Sequence, residues 1–305
     1  MSLLKLIRWK NLLMIALVQI LIKYCLFEPF GATITLNGFG LFLLILSTVF
    51  IAAAGYIIND INDVGTDQIN HDKNVVATKK ISEKNAYNLF IIFNLTGVAL
   101  GFYLSYLVGR NGFFAIFVIS SALLYLYATY LKQTMLIGNI IVALLVALSL
   151  LIVGIFDLIP VVTEMNRASQ ITFFEILVDY SIFAFIMTIL REIAKDLQDI
   201  EGDHNAGMNT LPVALGRARA TKVLFVLNIL ATLVVVYYLI TYVYKQQWLI
   251  YYFALLVIAP LIFTAIKSFS AETKKDYQQL SLVYKLIMLT GILSMAIYPF
   301  VILEA

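Results

Sequence analysis

The chain has 305 residues, of which 62% are hydrophobic and 13% charged, with a mean hydropathy of +0.94. A soluble domain carries about 45–50% apolar and about 25% charged residues, so this composition excludes a soluble globular protein and places the chain in a membrane. The net charge of +3 decides little; the single cysteine, Cys25, excludes an intramolecular disulfide and a cysteine zinc site, and two histidines, His71 and His204, exclude a histidine-rich metal centre.

Nine apolar runs of spanning length follow in chain order, near 11–30, 38–58, 86–107, 112–130, 137–157, 171–190, 222–244, 248–267 and 282–303. Runs of this length predict helices rather than barrel strands, because hydrocarbon leaves every backbone polar group to be satisfied inside the protein. The first run follows Lys5, Arg8 and Lys10 with no small-x-small cleavage site after it. It reads as an uncleaved span, with Cys25 as a packing residue inside it. The longest polar stretches are 59–85 and 191–221, and a third covers 268–281. No linker or low-complexity tract interrupts the chain, so residues 1–305 read as one transmembrane domain.

The basic residues set the orientation. With the N-terminus in the cytoplasm and nine alternating spans, seventeen of the 21 Lys and Arg fall on the inner side. Lys23, Arg110, Arg167 and Lys245 fall on the outer side. That asymmetry satisfies the positive-inside rule and places the C-terminus outside. The 18 tyrosines read mostly as interface-belt residues.

Two of the polar stretches open on the same pattern. Asp60, Asp63 and Asp67 form Asp-x-x-Asp-x-x-x-Asp, and so do Asp196, Asp199 and Asp203. In a helix the positions i, i+3 and i+7 stand at about 0°, 300° and 340°, so each trio lines one face. Four spans separate the trios, and four crossings return the chain to the same side, so both trios face one another at the cytoplasmic surface. One aspartate at a helix end is ordinarily a solvated cap. Two like-spaced stripes of mutually repelling carboxylates make sense with a strong positive charge between them.

Carboxylates are hard oxygen ligands suited to Mg²⁺, which is usually held by a few of them plus substrate phosphates. Two facing stripes therefore predict a diphosphate held through bridging magnesium, with a leaving group neutralised for carbon–oxygen heterolysis. Lys195, Arg191 and Lys132 on the same face, with Lys73, Lys79 or Lys80, would add to its binding, although the positive-inside bias alone also puts basic residues there. Asn11 and Asn139, at inner helix ends, are placed either to cap or to reach a phosphate. His71 and His204 read as solvated loop residues, and Glu175 and Asp179 as structural or headgroup-facing. The rival class is a cation transporter, for which carboxylates would be needed near the bilayer midplane. No nucleic-acid partner is expected.

These residues resemble the UbiA-type intramembrane prenyltransferases. Asn59, Asp60, Asp63 and Asp67 match the family's Asn-Asp-x-x-Asp-x-x-x-Asp motif after the second helix. Lys195, Asp196, Asp199 and Asp203 match its second motif after the sixth helix. Gly207-Met208-Asn209-Thr210-Leu211-Pro212-Val213-Ala214-Leu215-Gly216 is similar to its Gly-x-x-Thr-Leu-Pro-x-x-x-Gly segment. The resemblance implies nine helices around a central cavity under a cytoplasmic cap made by the 59–85 and 191–221 loops. It implies Mg²⁺-dependent prenyl transfer from a prenyl diphosphate to a membrane-associated acceptor. The six aspartates would hold metal, and Asn59, Lys195, Lys132, Arg191 and Lys79 the diphosphate. Tyr56, Tyr127 and Tyr130 are placed to stabilise an allylic cation through their ring faces.

The chain departs from the family where many members carry Arg-Pro and Gly after the first motif, having Lys73 to Ser82 without either. Members with aromatic acceptors often carry Tyr-x-x-x-Lys after the fourth helix, whereas here Ala128 holds the tyrosine position ahead of Lys132. The spacing of Lys132 from Gly138-Asn139, with the whole second motif, looks nearest to the branch that alkylates geranylgeranylglyceryl phosphate. An aromatic acceptor, such as 4-hydroxybenzoate or a naphthoate, is the alternative.

Overall fold

In this computed structural model, which describes residues 2–64 and 81–302, nine helices are long and apolar enough to cross a membrane. They are α1 (Trp9–Phe27), α2 (Gly38–Asn62), α3 (Glu83–Leu107), α4 (Asn111–Thr129), α5 (Ile137–Val161), α6 (Arg167–Asn205), α7 (Arg217–Val243), α8 (Gln247–Phe269) and α9 (Lys274–Ala296). Hydropathy located each of them, and local polar chemistry decided where they begin and end. The Asn37 side chain caps α2 by accepting from Gly40 N at 2.8 Å, and Ser82 caps α3.

Two boundaries differ from the sequence reading. The polar stretch at 268–281 is mostly helix, because Thr273 and Asp276 form a reciprocal capping box that starts α9 at Lys274. The stretch from 191 is not a loop either. The helix α6 runs unbroken for 39 residues, about 58 Å at 1.5 Å per residue, and carries the second acidic motif on its last turns. It stops at Gly207, whose φ of +70° suits glycine, where Met208 N returns to Asp203 O at 2.9 Å.

Six helices, α1, α2, α4, α5, α6 and α9, close into a ring. The other three lie outside it: α3 packs on α2, α7 on α6, and α8 on α7 and α9. Their outer faces expose Leu95, Leu233, Leu255 and Phe263, as lipid-facing helices do. Not all tyrosines are belt residues. Tyr277 and Tyr284 are fully buried, and Tyr284 joins the Asn228–Thr264 pair that ties α7, α8 and α9 together. At the end of the ring away from the motifs, buried Lys23 pairs with buried Asp157 at 3.5 Å, and Asp157 also accepts from Leu36 N at 2.8 Å. That polar knot pins the α1–α2 connection to α5.

Candidate active site

A cavity of about 760 Å³ occupies the ring, within the range typical of small-molecule sites. Both acidic motifs open into it. Asp60 and Asp63 line it from the end of α2, and Asp196, Asp199 and Asp203 line it from α6. The three α6 aspartates share one face of one continuous helix, as their spacing requires. Asp63 sits at the C-cap of α2 with φ −92°, so the first stripe leaves the helix at its second member. Asp67, Lys73, Lys79 and Lys80 lie outside the described residues.

Each of the five described motif aspartates has a specific partner. Arg8 donates to Asp60 at 2.8 Å, and its guanidinium stands 5.1 Å from the Tyr56 ring centre. Burial works against the Arg8 charge, but the fields of Asp60 and Asp63 outweigh it and hold the guanidinium well above its usual pKa. Lys132 pairs with Asp63, and Asn59 donates to the same carboxylate. Asn139 donates to Asp196 at 2.8 Å, and Thr210 to Asp203 at 3.2 Å. Gln198 donates to Asp199 at 3.1 Å.

The sequence accounts for these placements locally. Lys132 lies in a short turn, Leu131–Gln133, between α4 and α5. Gly138 lets that turn press onto α5: a Cβ there would stand 2.7 Å from Leu131 O and 2.9 Å from the Lys132 Cα. The next residue, Asn139, reaches Asp196. Asn209 N donates to Gln133 O at 2.8 Å, so the segment after α6 clasps the Lys132 turn as well. Thr210 both precedes the short helix Leu211–Leu215 and holds Asp203.

Below the charged mouth the wall is apolar. Lining positions along α2 descend from Asp63 to Thr48, a rise of about 22 Å. At that end buried Gln19 donates to Ser149 O at 3.0 Å and accepts from Thr48 at 3.2 Å, tying α1, α5 and α2. Ile51, Phe117, Leu124 and Leu145 line the space between. The geometry offers a charged head site above a long greasy slot.

The sequence-predicted set divides. Asn59, Tyr56, Tyr127, Lys132, Arg191 and Lys195 all line the cavity, as does Asn11. Asn139 stands behind the wall, buried against Asp196. Tyr130 is 68% exposed and outside the cavity, because α4 ends at Thr129 and the chain turns away there. The Tyr56 ring carries Arg8 on a face and its hydroxyl accepts from Asn11 at 3.2 Å, which leaves Tyr127 as the better-placed aromatic. His204, Glu175 and Asp179 are exposed and none lines the cavity.

Three cavity residues carry no motif in the sequence. Arg8 and Lys285 read there only as inner-side charges, and for Lys285 the available signal is a lysine inside an apolar run. Glu192 is a buried carboxylate that accepts from Arg191 at 2.8 Å and from Lys195 at 2.7 Å. Its signal was its place between those two cations at i−1 and i+3.

Among the described residues no three His, Cys, Asp or Glu side chains converge tightly enough to enclose a metal by themselves. Mg²⁺ does not require such a cluster, since it takes one or two carboxylates and fills its shell with water and phosphate. The carboxylates spread around one cavity, and the buried Asn59 Oδ1 without a partner, are donors of the right hardness.

Comparisons with known proteins agree with this architecture. Residues 29–300 match the UbiA prenyltransferase family. A digeranylgeranylglyceryl phosphate synthase of Methanosphaera stadtmanae is 31% identical over 253 residues, covering 81% of this chain and 84% of that protein. A solved structure described as giving insights into digeranylgeranylglyceryl phosphate synthase in membranes superposes with a TM-score of 0.63 at 23% identity, over 97% of this chain and 98% of that one. A UbiA homolog from Archaeoglobus fulgidus bound to GPP and Mg²⁺ does so with a TM-score of 0.56 at 18% identity, over 97% and 99%. The transporter alternative is thereby set aside: this chain belongs to the UbiA prenyltransferase family and is an integral, multi-pass membrane prenyltransferase.

Proposed function

We propose that the enzyme transfers a polyprenyl group from a prenyl diphosphate to geranylgeranylglyceryl phosphate, with Mg²⁺ as cofactor. The observation that carries this reading is the meeting of five motif aspartates, Asp60, Asp63, Asp196, Asp199 and Asp203, in one cavity above an apolar slot. The name of the Methanosphaera relative supports the acceptor, and the ligands of the Archaeoglobus homolog support the donor and the metal.

On this reading the motif aspartates hold Mg²⁺, with Asp67 expected to join them. The metal, when bound, supplies the charge that neutralises the departing diphosphate. Asn59, Lys132 and Lys195 bind that diphosphate, with Arg191 at its edge and Lys79 expected from the segment 65–80. Glu192 aims Lys195 and Arg191 by engaging both. The slot takes the prenyl tail and excludes water from the allylic carbon, and Tyr127 presents its ring to the developing cation. The carbon–oxygen bond to the diphosphate breaks with its electron pair on the leaving group. The acceptor hydroxyl oxygen then forms the ether bond, and its proton leaves through the carboxylate-lined mouth.

We further infer one domain, since the cavity wall draws on the chain from Lys5 to Met288. On the same reading the mouth faces the cytoplasm, the cap is expected from the segments that follow α2 and α6, and the C-terminus lies outside. Lys84, Arg217, Arg219 and Lys275 near the mouth end support that orientation.

The test is product mass spectrometry with geranylgeranyl diphosphate and competing acceptors: geranylgeranylglyceryl phosphate, 4-hydroxybenzoate and a naphthoate. The digeranylgeranylated glyceryl phosphate is expected to dominate. A prenylated aromatic as the main product would overturn the acceptor assignment.

A further inference from the structure

Lys285 projects into the cavity about three turns into α9. A cation at such depth is costly unless something compensates it. The neighbouring cations are compensated: Arg8 by Asp60, Lys132 by Asp63, Arg191 and Lys195 by Glu192. Lys285 instead donates to a neutral amide oxygen, Asn11 Oδ1, at 2.6 Å. Asn11 is itself oriented by donating to Tyr56. Arg191 and Lys10, both cations, act on the Lys285 ammonium, and no ion pair to Lys285 is formed among the described residues. Arg191 adds a second sign of an open place: its Nε is buried and has no hydrogen-bond partner among the described residues.

We propose that Lys285 and Arg191, steadied by Asn11, form a second anion site that takes the phosphate monoester of the acceptor lipid. It adjoins the aspartate-lined diphosphate site, with Arg191 on the border between the two, and this proposal rests on the acceptor reading above. A phosphate monoester carries close to two negative charges at neutral pH; Lys285 offers it a cation with no carboxylate partner, and Arg191, paired with Glu192 through one nitrogen, offers its unpartnered Nε–H. The ammonium has two donors left after Asn11, and the guanidinium has its Nε edge. The site draws on α1, α6 and α9, whereas the first motif comes from α2. Asn11 links the two through Tyr56, one turn before Asp60, so the acceptor headgroup is seated beside the departing diphosphate. Such a site selects phosphorylated over neutral glyceryl lipids and fixes the free hydroxyl relative to the allylic carbon.

The experiment measures binding of geranylgeranylglyceryl phosphate and of geranylgeranylglycerol to the purified full-length protein in micelles, without donor. Wild type, Lys285→Met and Lys285→Arg are compared, and the KM for geranylgeranyl diphosphate is measured alongside. Wild type is expected to prefer the phosphorylated lipid by about tenfold or more, the scale of a lost charge-assisted hydrogen bond. Lys285→Met is expected to erase that preference without weakening geranylgeranylglycerol, and Lys285→Arg to keep most of it. The KM for the diphosphate is expected to stay within about twofold in all three. Equal binding of the two lipids by wild type, or an undiminished preference in Lys285→Met, overturns the site. A parallel rise in the diphosphate KM also overturns it, by assigning Lys285 to the donor. A wild type that prefers the phosphorylated lipid yet makes no ether from it leaves the site standing and overturns the proposed function instead.

Discussion

Asn139 donates to Asp196 across 2.8 Å, and that bond fastens α5, the helix next to the Lys132 turn, onto the helix that bears the second motif. Asp196 is thereby aimed at the cavity by a residue that does not line it. Replacing Asn139 with Leu removes the donor and leaves a cavity carboxylate without it. The expected result is a loss of about 1–3 kcal/mol in stability, read by thermal melting in detergent, and about a tenfold fall in kcat/KM. Unchanged activity in a folded Asn139→Leu protein would show that Asp196 needs no such support.

Asp63 and Asp199 come from opposite walls of the cavity. Asp63→Ala and Asp199→Ala are each expected to reduce transfer by at least about a hundredfold while leaving the protein folded in the membrane. Removal of divalent cations by chelator is expected to stop the wild-type reaction, with activity restored by added Mg²⁺. A chelated enzyme that runs at full rate would remove the metal from the scheme.

Gly138 is a packing requirement with a catalytic consequence. Gly138→Ala drives a methyl group against Leu131 O and the Lys132 backbone, neither of which is a flexible side-chain end. The turn must shift and carry Lys132 away from Asp63. A destabilisation of about 1–3 kcal/mol is expected, together with a raised KM for the prenyl diphosphate. A variant that melts like wild type and keeps its KM would mean that the turn moves without cost.

Glu192 is buried between two cations of the site. Glu192→Ala leaves Arg191 and Lys195 in a cavity wall without their carboxylate. The expected loss of stability is about 1–3 kcal/mol, because both cations keep access to the cavity, with weaker diphosphate binding because Lys195 loses its orientation. Steady-state kinetics and melting curves check the two effects separately. The variant that still binds diphosphate normally would reduce Glu192 to a structural ion pair.

Hydropathy and spacing alone determined the membrane class, the nine spans, and the arrival of both acidic motifs at one end of the bundle. Those are local or counting properties: the length of an apolar run, the parity of crossings, the 3.6-residue period that puts Asp196, Asp199 and Asp203 on one face. The tertiary structure decided which basic residues matter. Lys285, Lys84 and Arg219 look alike as inner-side charges, yet only Lys285 of the three enters the cavity. Tyr127 and Tyr130 sit three residues apart, and only Tyr127 faces inward. What separates them is where each helix stands and where it stops: α3 and α7 pack outside the ring, α9 is part of its wall, and α4 ends at Thr129 so that Tyr130 leaves the cavity face. The reach of Asn139 to Asp196 and of Gly138 to the Lys132 turn depends on the same packing, so no periodicity within one segment could have disclosed it.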